Sequence, residues 1–175
     1  MFRGDDNDAT NRKRLDKCNR VTQQELDDAV KWLRKAADAG SAQAMAAYPL
    51  YGSLDLTMTD AIREPQAIQD YKDRSKRYLE TLATAGSPAA MYNLARDYYN
   101  GVMAPQNFEL AYAYDFAAMM LTGQGMNDGM LPTYSSHLNA AQIEAAQTLG
   151  RRMVAACCPN GPPSEFWHAE QGDSE

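Results

Sequence analysis

The chain has 175 residues, enough for one domain of ordinary size and barely enough for two. Its 17 basic and 23 acidic side chains give a formal net charge of −6 with no basic block, so nucleic acid and an anionic membrane surface are poor candidates for partners. The longest apolar run, residues 116–121, is far short of the ~20 residues that cross a bilayer, whereas a hydrophobic content of 45% permits a packed core.

A short motif occurs twice in the first half of the chain. Residues 39–45 (AGSAQAM) return as residues 85–91 (AGSPAAM), an offset of 46, and the same offset aligns Trp32 with Tyr78. A looser third copy ends at Gly123. Because the agreement extends to both sides of the shared glycine in one register, the pattern predicts a structural unit that is repeated along the chain.

The first copy is predicted to be a helical hairpin. Its first helix begins at Thr22, because Thr22-Gln23-Gln24-Glu25 has the form of a capping box. Gly40 ends this helix, since a left-handed cap is cheap only for glycine. Ser41 caps the second helix, and Pro49 must kink or end it after about two turns.

The second copy predicts a longer hairpin of the same kind. Pro65 suits a first helical turn, and apolar residues at helical spacing continue to a stop at Gly86. Ser87-Pro88 begins the partner helix, which ends before Gly101.

Two more helices are predicted in the remainder of the chain, at about 108–121 and 139–157. Segments 52–64 and 123–136 are predicted to be long connections. No alternating strand pattern occurs, so the predicted fold class is all-α. The inner stripe of the last helix is predicted to contain Leu138, Ala145, Leu149 and Met153.

The second copy resembles the signature of a known repeat family. The residues that carry the likeness are Asn93-Leu94, Tyr98-Tyr99-Asn100-Gly101-Val102, Pro105-Gln106, Ala111, Tyr114 and Ala117-Ala118. They are similar to the Sel-one-like repeat family, relatives of the tetratricopeptide class, and the resemblance covers roughly residues 25–123. It implies a short right-handed α-solenoid of antiparallel helix pairs at 22–157, between a polar N-terminal segment (1–21) and a C-terminal tail (158–175).

The family resemblance also implies a function. Its members are similar to scaffolds that bind other proteins and are not, as a rule, enzymes. We therefore expect a non-enzymatic module with a protein partner and with no cofactor, metal, small-molecule substrate or membrane insertion. A narrower alternative is an immunity- or inhibitor-type protein that binds a secreted enzyme. The partner is expected on the concave face of the first helix of each pair and on the long loops, with Tyr71, Arg74, Tyr112 and Asp115 as the candidate contact residues.

Catalytic chemistry has few candidates in this sequence. The histidines are His137 and His168, and there is no Gly-x-Ser-x-Gly elbow that would expose a nucleophile. Two surface histidines are the favoured interpretation, and no catalytic residue is assigned. A hydrolase is a third hypothesis, and it would need a cleft lined by His137 and a nearby carboxylate.

The three cysteines leave two interpretations open. Cys18, Cys157 and Cys158 do not match a zinc-ligand spacing. Either one of the adjacent pair packs inward as a small hydrophobic residue, or Cys18 forms a disulfide with Cys157 after the chain ends curl back. A disulfide requires an oxidising compartment. Residues 1–20 contain no apolar signal segment, yet the cysteine placement is similar to that of small exported repeat proteins, so a periplasmic or secreted location is expected, with the cytoplasm as the alternative.

Overall fold

The computed structural model describes Arg20, residues 22–54, Leu56, residues 62–123 and residues 130–161. These residues contain helices and no β-strand, which confirms the predicted all-α class. The helices are α1 (Gln23–Asp38), α2 (Ala42–Tyr51), α3 (Pro65–Thr84), α4 (Pro88–Asn100), α5 (Phe108–Thr122), α6 (Met130–Ser135) and α7 (Ala140–Cys157).

Side-chain caps begin α1, α2 and α4 where the sequence predicts them. In the capping box of α1, the backbone N–H of Glu25 donates to the Thr22 hydroxyl at 3.3 Å, and the backbone N–H of Thr22 donates to the Glu25 carboxylate at 2.8 Å. Ser41 and Ser87 cap α2 and α4, each accepting from the amide three residues later at 3.3 Å. A second capping box begins α7 at Asn139. Each cap satisfies amides that would otherwise lack a partner.

The sequence repeat is also a structural repeat, in which α1–α2 corresponds to α3–α4. Gly40 and Gly86 lie at the ends of the first helices with φ of 97° and 92°, a region that side chains with a Cβ disfavour. Ala37 and Ala83, three residues before these glycines, are both buried. Residues separated by 46 positions therefore occupy equivalent places and can be compared directly.

The helices pack largely in chain order. Each of α1 to α4 contacts the next helix, and α5 contacts both α6 and α7. Tyr48 and Tyr78 belong to a smaller core cluster between the first three helices, and Met91 and Leu94 to a larger one that extends from α3 to α7. Met45 packs against both clusters and joins them. Successive hairpins that share one core are the arrangement of an α-solenoid. Its right-handed sense and the domain boundaries stay predictions.

Three local features refine the predictions. The segment 123–136, expected to be a connection, contains α6, whose Tyr134 is fully buried; six residues are too few to display a helical period. On α7 the predicted inner residue Ala145 is exposed, and Ala146 is buried instead. Pro49 lies inside α2, which ends two residues later, as the missing N–H of proline requires.

Candidate functional site

Two of the predicted partner-binding residues, Tyr71 and Arg74, connect helices to one another. The Tyr71 hydroxyl donates to the carbonyl oxygen of Pro49 at 2.6 Å. Arg74 donates from Nη1 to both carboxylate oxygens of Asp38, at 2.9 and 3.0 Å. Both side chains are half-buried. Their polar atoms thus join α3 to α1 and α2.

Asp38 is the centre of this contact between α1 and α3. It also accepts a hydrogen bond of 2.6 Å from the Tyr78 hydroxyl, and Arg77 lies 3.6 Å away. The hydrogen bond from Tyr78, together with the positive charge of Arg74, lowers the pKa of Asp38. Burial, with a contribution from Asp38, raises the pKa of Tyr78. The carboxylate of Asp38 is held in its charged form, in which it accepts the hydrogen bonds that connect α1 to α3.

The other two predicted residues, Tyr112 and Asp115, are buried and do not form an accessible surface. They lie on α5, which is covered by α4, α6 and α7, so that nearly every side of the helix is buried. The Tyr112 hydroxyl accepts a hydrogen bond of 3.2 Å from Nε2 of Gln147 on α7. The prediction failed here because it treated α5 as a helix with one solvent face.

Asp115 on α5 and Tyr134 on α6 are buried polar residues in the C-terminal half. Burial raises the pKa of Asp115, which is 5% exposed, to about 6. Burial and the nearby charge of Asp115 also raise the pKa of Tyr134, whose hydroxyl has no hydrogen-bond partner among the described residues. Strongly shifted groups often mark functional sites. Because this carboxyl scarcely reaches solvent, its protonation bears on the stability of the fold and not on a bound substrate.

Asp97 on α4 is a second buried carboxyl. Burial raises its pKa, and the neighbouring Arg96 acts in the opposite direction. The sequence analysis did not single out Asp97, and it placed Asp115 on an accessible surface, whereas both are buried. Their placement depends on which helices cover α4 and α5, and no local pattern records that.

His137, the histidine that a hydrolase would need, is exposed and lies against aromatic rings. Its imidazole stacks on Phe108 with the ring centres 4.2 Å apart, and Tyr99 is 5.8 Å away. A hydrolytic site would need a nucleophile and an orienting acid around the imidazole. His168 lies outside the described residues.

The cysteines are paired differently from the predicted disulfide. Cys157 is bonded to Cys158 through their sulfur atoms, with Cys158 buried at the end of α7. Cys18 lies outside the described residues, so the Cys18–Cys157 bond stays a prediction that competes with this vicinal pair.

Metal and membrane sites can be surveyed over the described ranges. There, no group of three or more His, Cys, Asp or Glu side chains is placed to hold a metal ion. Of the helices in those same ranges, none is both long and apolar enough to cross a bilayer.

The solvent-exposed side of the second helices offers a more accessible surface. We call it the second-helix face. Its members are Ala46, Ala47 and Leu50 on α2, and the residues at the equivalent repeat positions on α4, Tyr92, Asn93 and Arg96. Ala46, Leu50 and Arg96 are exposed, and the other three are half-buried. Leu50 is 63% exposed, and Arg96, also exposed, donates to the side-chain oxygen of Asn93 at 3.0 Å. The face is therefore small and apolar on α2 and polar on α4.

Helical hairpins that recur at a fixed offset, each with a glycine of positive φ at the end of its first helix, define a helical-repeat protein. The sequence model of the Sel1 repeat matches residues 21–41 and 88–114. These two matches support a Sel1-like repeat helical protein, as the resemblance implied. The second match begins at the first residue of α4 and continues into α5, which is one hairpin. No curated protein and no solved structure matches the chain significantly.

Proposed function

We propose that this chain is a non-enzymatic repeat module that binds another protein through its second-helix face. Sel1 repeats generally mediate protein–protein interaction, and this chain contains two matches to that repeat. A helical-repeat array presents an extended surface built from equivalent positions of successive helices, which suits a protein ligand.

The exposure of Leu50 is the observation that carries this proposal. Leu50, the second-last residue of α2, is 63% exposed, which leaves apolar surface in water at a cost in solvation free energy. The equivalent position on α4 is occupied by Arg96. Arginine and tyrosine are enriched among the residues that dominate binding energy at interfaces, and the α4 part of this face contains Arg96 and Tyr92. On the opposite side of the same two helices, the equivalent residues Tyr48 and Leu94 are buried in the core. Leu50 therefore lies on the side of α2 that faces away from the core.

The chemistry of the second-helix face specifies the kind of segment it fits. Leu50 and the small Ala46 leave room for an apolar side chain against α2. Arg96 directs a guanidinium to solvent on α4, where a carboxylate of the partner can accept two parallel hydrogen bonds. A partner segment with an apolar residue followed by an acidic one would match both halves.

The location of the partner is part of the proposal. A disulfide among these cysteines persists in an oxidising compartment, which supports action in the periplasm or outside the cell. If the captured partner is a secreted enzyme that the chain inhibits, the module has the narrower immunity-type role.

The test is capture of the partner from native extract with the tagged chain, followed by binding measurements on the purified pair. Leu50→Glu and Arg96→Glu should each weaken binding at least about tenfold, because each variant removes a central contact. Met120→Glu, at an exposed position on α5, is the matched control and should bind like the parent. Equal affinity in all three variants would exclude the second-helix face.

A separate assay tests the absence of catalysis. Generic esterase, phosphatase and protease substrates should be turned over no faster than in buffer. An activity that disappears in His137→Ala would overturn the proposal in favour of a hydrolase.

A further inference from the structure

Trp32 on α1 and Tyr78 on α3 occupy equivalent repeat positions but have opposite environments. Tyr78 is 2% exposed because α2 covers it, with the Tyr48 ring 5.2 Å away and perpendicular to it. Trp32 is 68% exposed, and among the described residues its ring contact is the Lys35 amine, 4.7 Å from the ring centre. Trp32 on α1 is thus a large exposed aromatic side chain at the position where the equivalent residue of α3, Tyr78, packs against a neighbouring helix.

The difference extends over one whole side of α1. The residues with which α3 faces α2 are Tyr71, Ser75 and Tyr78, which are half-buried or buried. Their equivalents on α1 are Glu25, Ala29 and Trp32, and all three are exposed. We call these three residues the Trp32 face. The equivalent face of α3 is one half of a helix–helix interface with α2, so the Trp32 face has the form of a surface that a further helix could cover.

The charges on α1 indicate what covers the Trp32 face. The acidic Glu25 and Asp28 lie in the first half of the helix, and the basic Lys31 and Lys35 lie in the second half. Two copies of α1 in antiparallel orientation bring the acidic half of each against the basic half of the other. Such a two-fold arrangement is self-complementary, which is the condition for a symmetric dimer.

The same orientation gives the indole a place to pack. Ala29 lies about one turn before Trp32, near the middle of the helix. In an antiparallel pair centred there, the indole of each copy lies over the small Ala29 of the other. Residues 1–19 are a poorer cover by composition, because their large apolar side chains are Met1, Phe2 and Leu15, which do not recur at helical spacing.

We propose that a second copy of this chain covers the Trp32 face, with α1 packed antiparallel against α1 of the second copy about a two-fold axis. The dimer uses none of the residues of the second-helix face, so that face remains available to a partner in both copies. The proposal is independent of the proposed function, because it concerns self-association and is tested without the partner.

The test is the mass of the full chain in solution over a range of concentrations. Sedimentation should give a dimer of the 19.4 kDa chain that dissociates on dilution. Trp32→Lys should raise the dissociation constant at least about 30-fold, as expected for a central aromatic anchor. Ile62→Lys is the matched control, since Ile62 is 79% exposed outside α1, and it should dimerise like the parent.

A charge exchange tests the antiparallel pairing without removing the indole. Asp28→Lys makes the exposed face of α1 basic, and the double variant Lys31→Glu/Lys35→Glu makes it acidic. Each should be monomeric alone because like charges then meet, and a mixture of the two should form the dimer again. Lys31 and Asp28 also form an ion pair of 3.2 Å within α1, but both side chains are exposed and such pairs contribute little to stability, so the unfolding curves of the variants should stay close to that of the parent.

Several outcomes would overturn the proposal. They are a monomer at every concentration, a dimer that survives Trp32→Lys, and no recovery in the charge mixture. In a Trp167→Phe background, indole emission reports on Trp32. Blue-shifted emission from a monomer would show that the same chain covers the Trp32 face, and loss of a captured partner in Trp32→Lys without dimerisation would assign the face to another protein.

Discussion

The hydroxyl of Tyr78 on α3 donates a hydrogen bond of 2.6 Å to the carboxylate of Asp38 at the end of α1, 40 residues earlier in the chain. Arg74 donates to the same carboxylate. The last residue of one hairpin's first helix is thereby fixed to the first helix of the next hairpin. The register between repeats depends on this contact as well as on apolar packing.

Tyr78→Phe tests the contribution of this hydrogen bond. The variant keeps the ring against Tyr48 and removes the donor, so the free energy of unfolding should fall by about 1.5–3 kcal/mol at neutral pH, as for hydrogen bonds to charged groups. Because the pKa of Asp38 is lowered in the folded protein, its contribution is present above the unfolded pKa and is lost as the pH falls. Urea denaturation should therefore show a smaller effect in acid. The exposed Tyr51→Phe serves as control and should change little.

Gly150→Ala should destabilise the fold although alanine favours helices. A Cβ at Gly150 would lie 2.8 Å from the carbonyl oxygen of Ala113 and 2.9 Å from a ring carbon of Phe116. The backbone of α5 cannot move away at low energetic cost, so we expect this overpacking to lower the free energy of unfolding by roughly 1–3 kcal/mol. Alanine gains only ~1 kcal/mol in helix propensity over glycine, so the net effect should be destabilising. Thermal denaturation measures the change, and Thr148→Ala on the same helix should be near neutral. A more stable Gly150→Ala variant would show that α7 does not approach α5 this closely.

Truncation of Leu94, in the core, and of Leu50, on the surface, should have different effects on the free energy of unfolding. Leu94 is 1% exposed in the larger core cluster, so Leu94→Ala should cost roughly 2–5 kcal/mol. Leu50→Ala should be close to neutral for stability, since that side chain is mostly in solvent already. Chemical denaturation of both variants measures the difference. Equal losses would mean that the repeat register between α2 and α4 is incorrect.

The sequence predicted the helices well because their signals are local. The capping box at Thr22, the serine caps at Ser41 and Ser87 and the glycine stops at Gly40 and Gly86 each act within a few residues, and all lie where expected. The 46-residue repeat added a second, independent constraint on the register. Local chemistry and repeat symmetry together determine the ends of the helices in the two copies that carry these signals.

The candidate site was predicted less well because it depends on which helices cover one another. Tyr112 and Asp115 have polar groups that favour solvent in isolation, yet α6 and α7 pack over α5 and bury them. α6 itself gave no detectable period. The exposed Leu50 could have been found from the sequence, since the repeat aligns it with Arg96 and a buried position does not alternate between leucine and arginine.

Alkylation of the unfolded, unreduced protein separates the two cysteine pairings. With Cys157 bonded to Cys158, the label should be found on Cys18, and after proteolysis both halves of the disulfide should lie in one peptide. The predicted Cys18–Cys157 bond would place the label on Cys158 instead. Mass spectrometry of the labelled peptides gives the answer, and reduction before labelling is the control that should expose three thiols.

Asp115→Asn should make the stability of the protein less dependent on pH. Burial raises the pKa of Asp115 to about 6 in the folded protein, whereas an aspartate in the unfolded chain titrates near pH ~4. The folded state therefore binds this proton more tightly, and the free energy of unfolding falls as the pH rises from about 4 to about 6. The free energy of unfolding falls by roughly 3 kcal/mol in total and does not recover at higher pH. Relative to the variant, the parent should lose this amount between pH 4 and pH 7 in urea denaturation. The pKa of Asp97 is also raised, but Asp97 is present in both proteins, so the difference between their pH profiles isolates Asp115. Parallel pH profiles would show that the Asp115 carboxyl is well solvated.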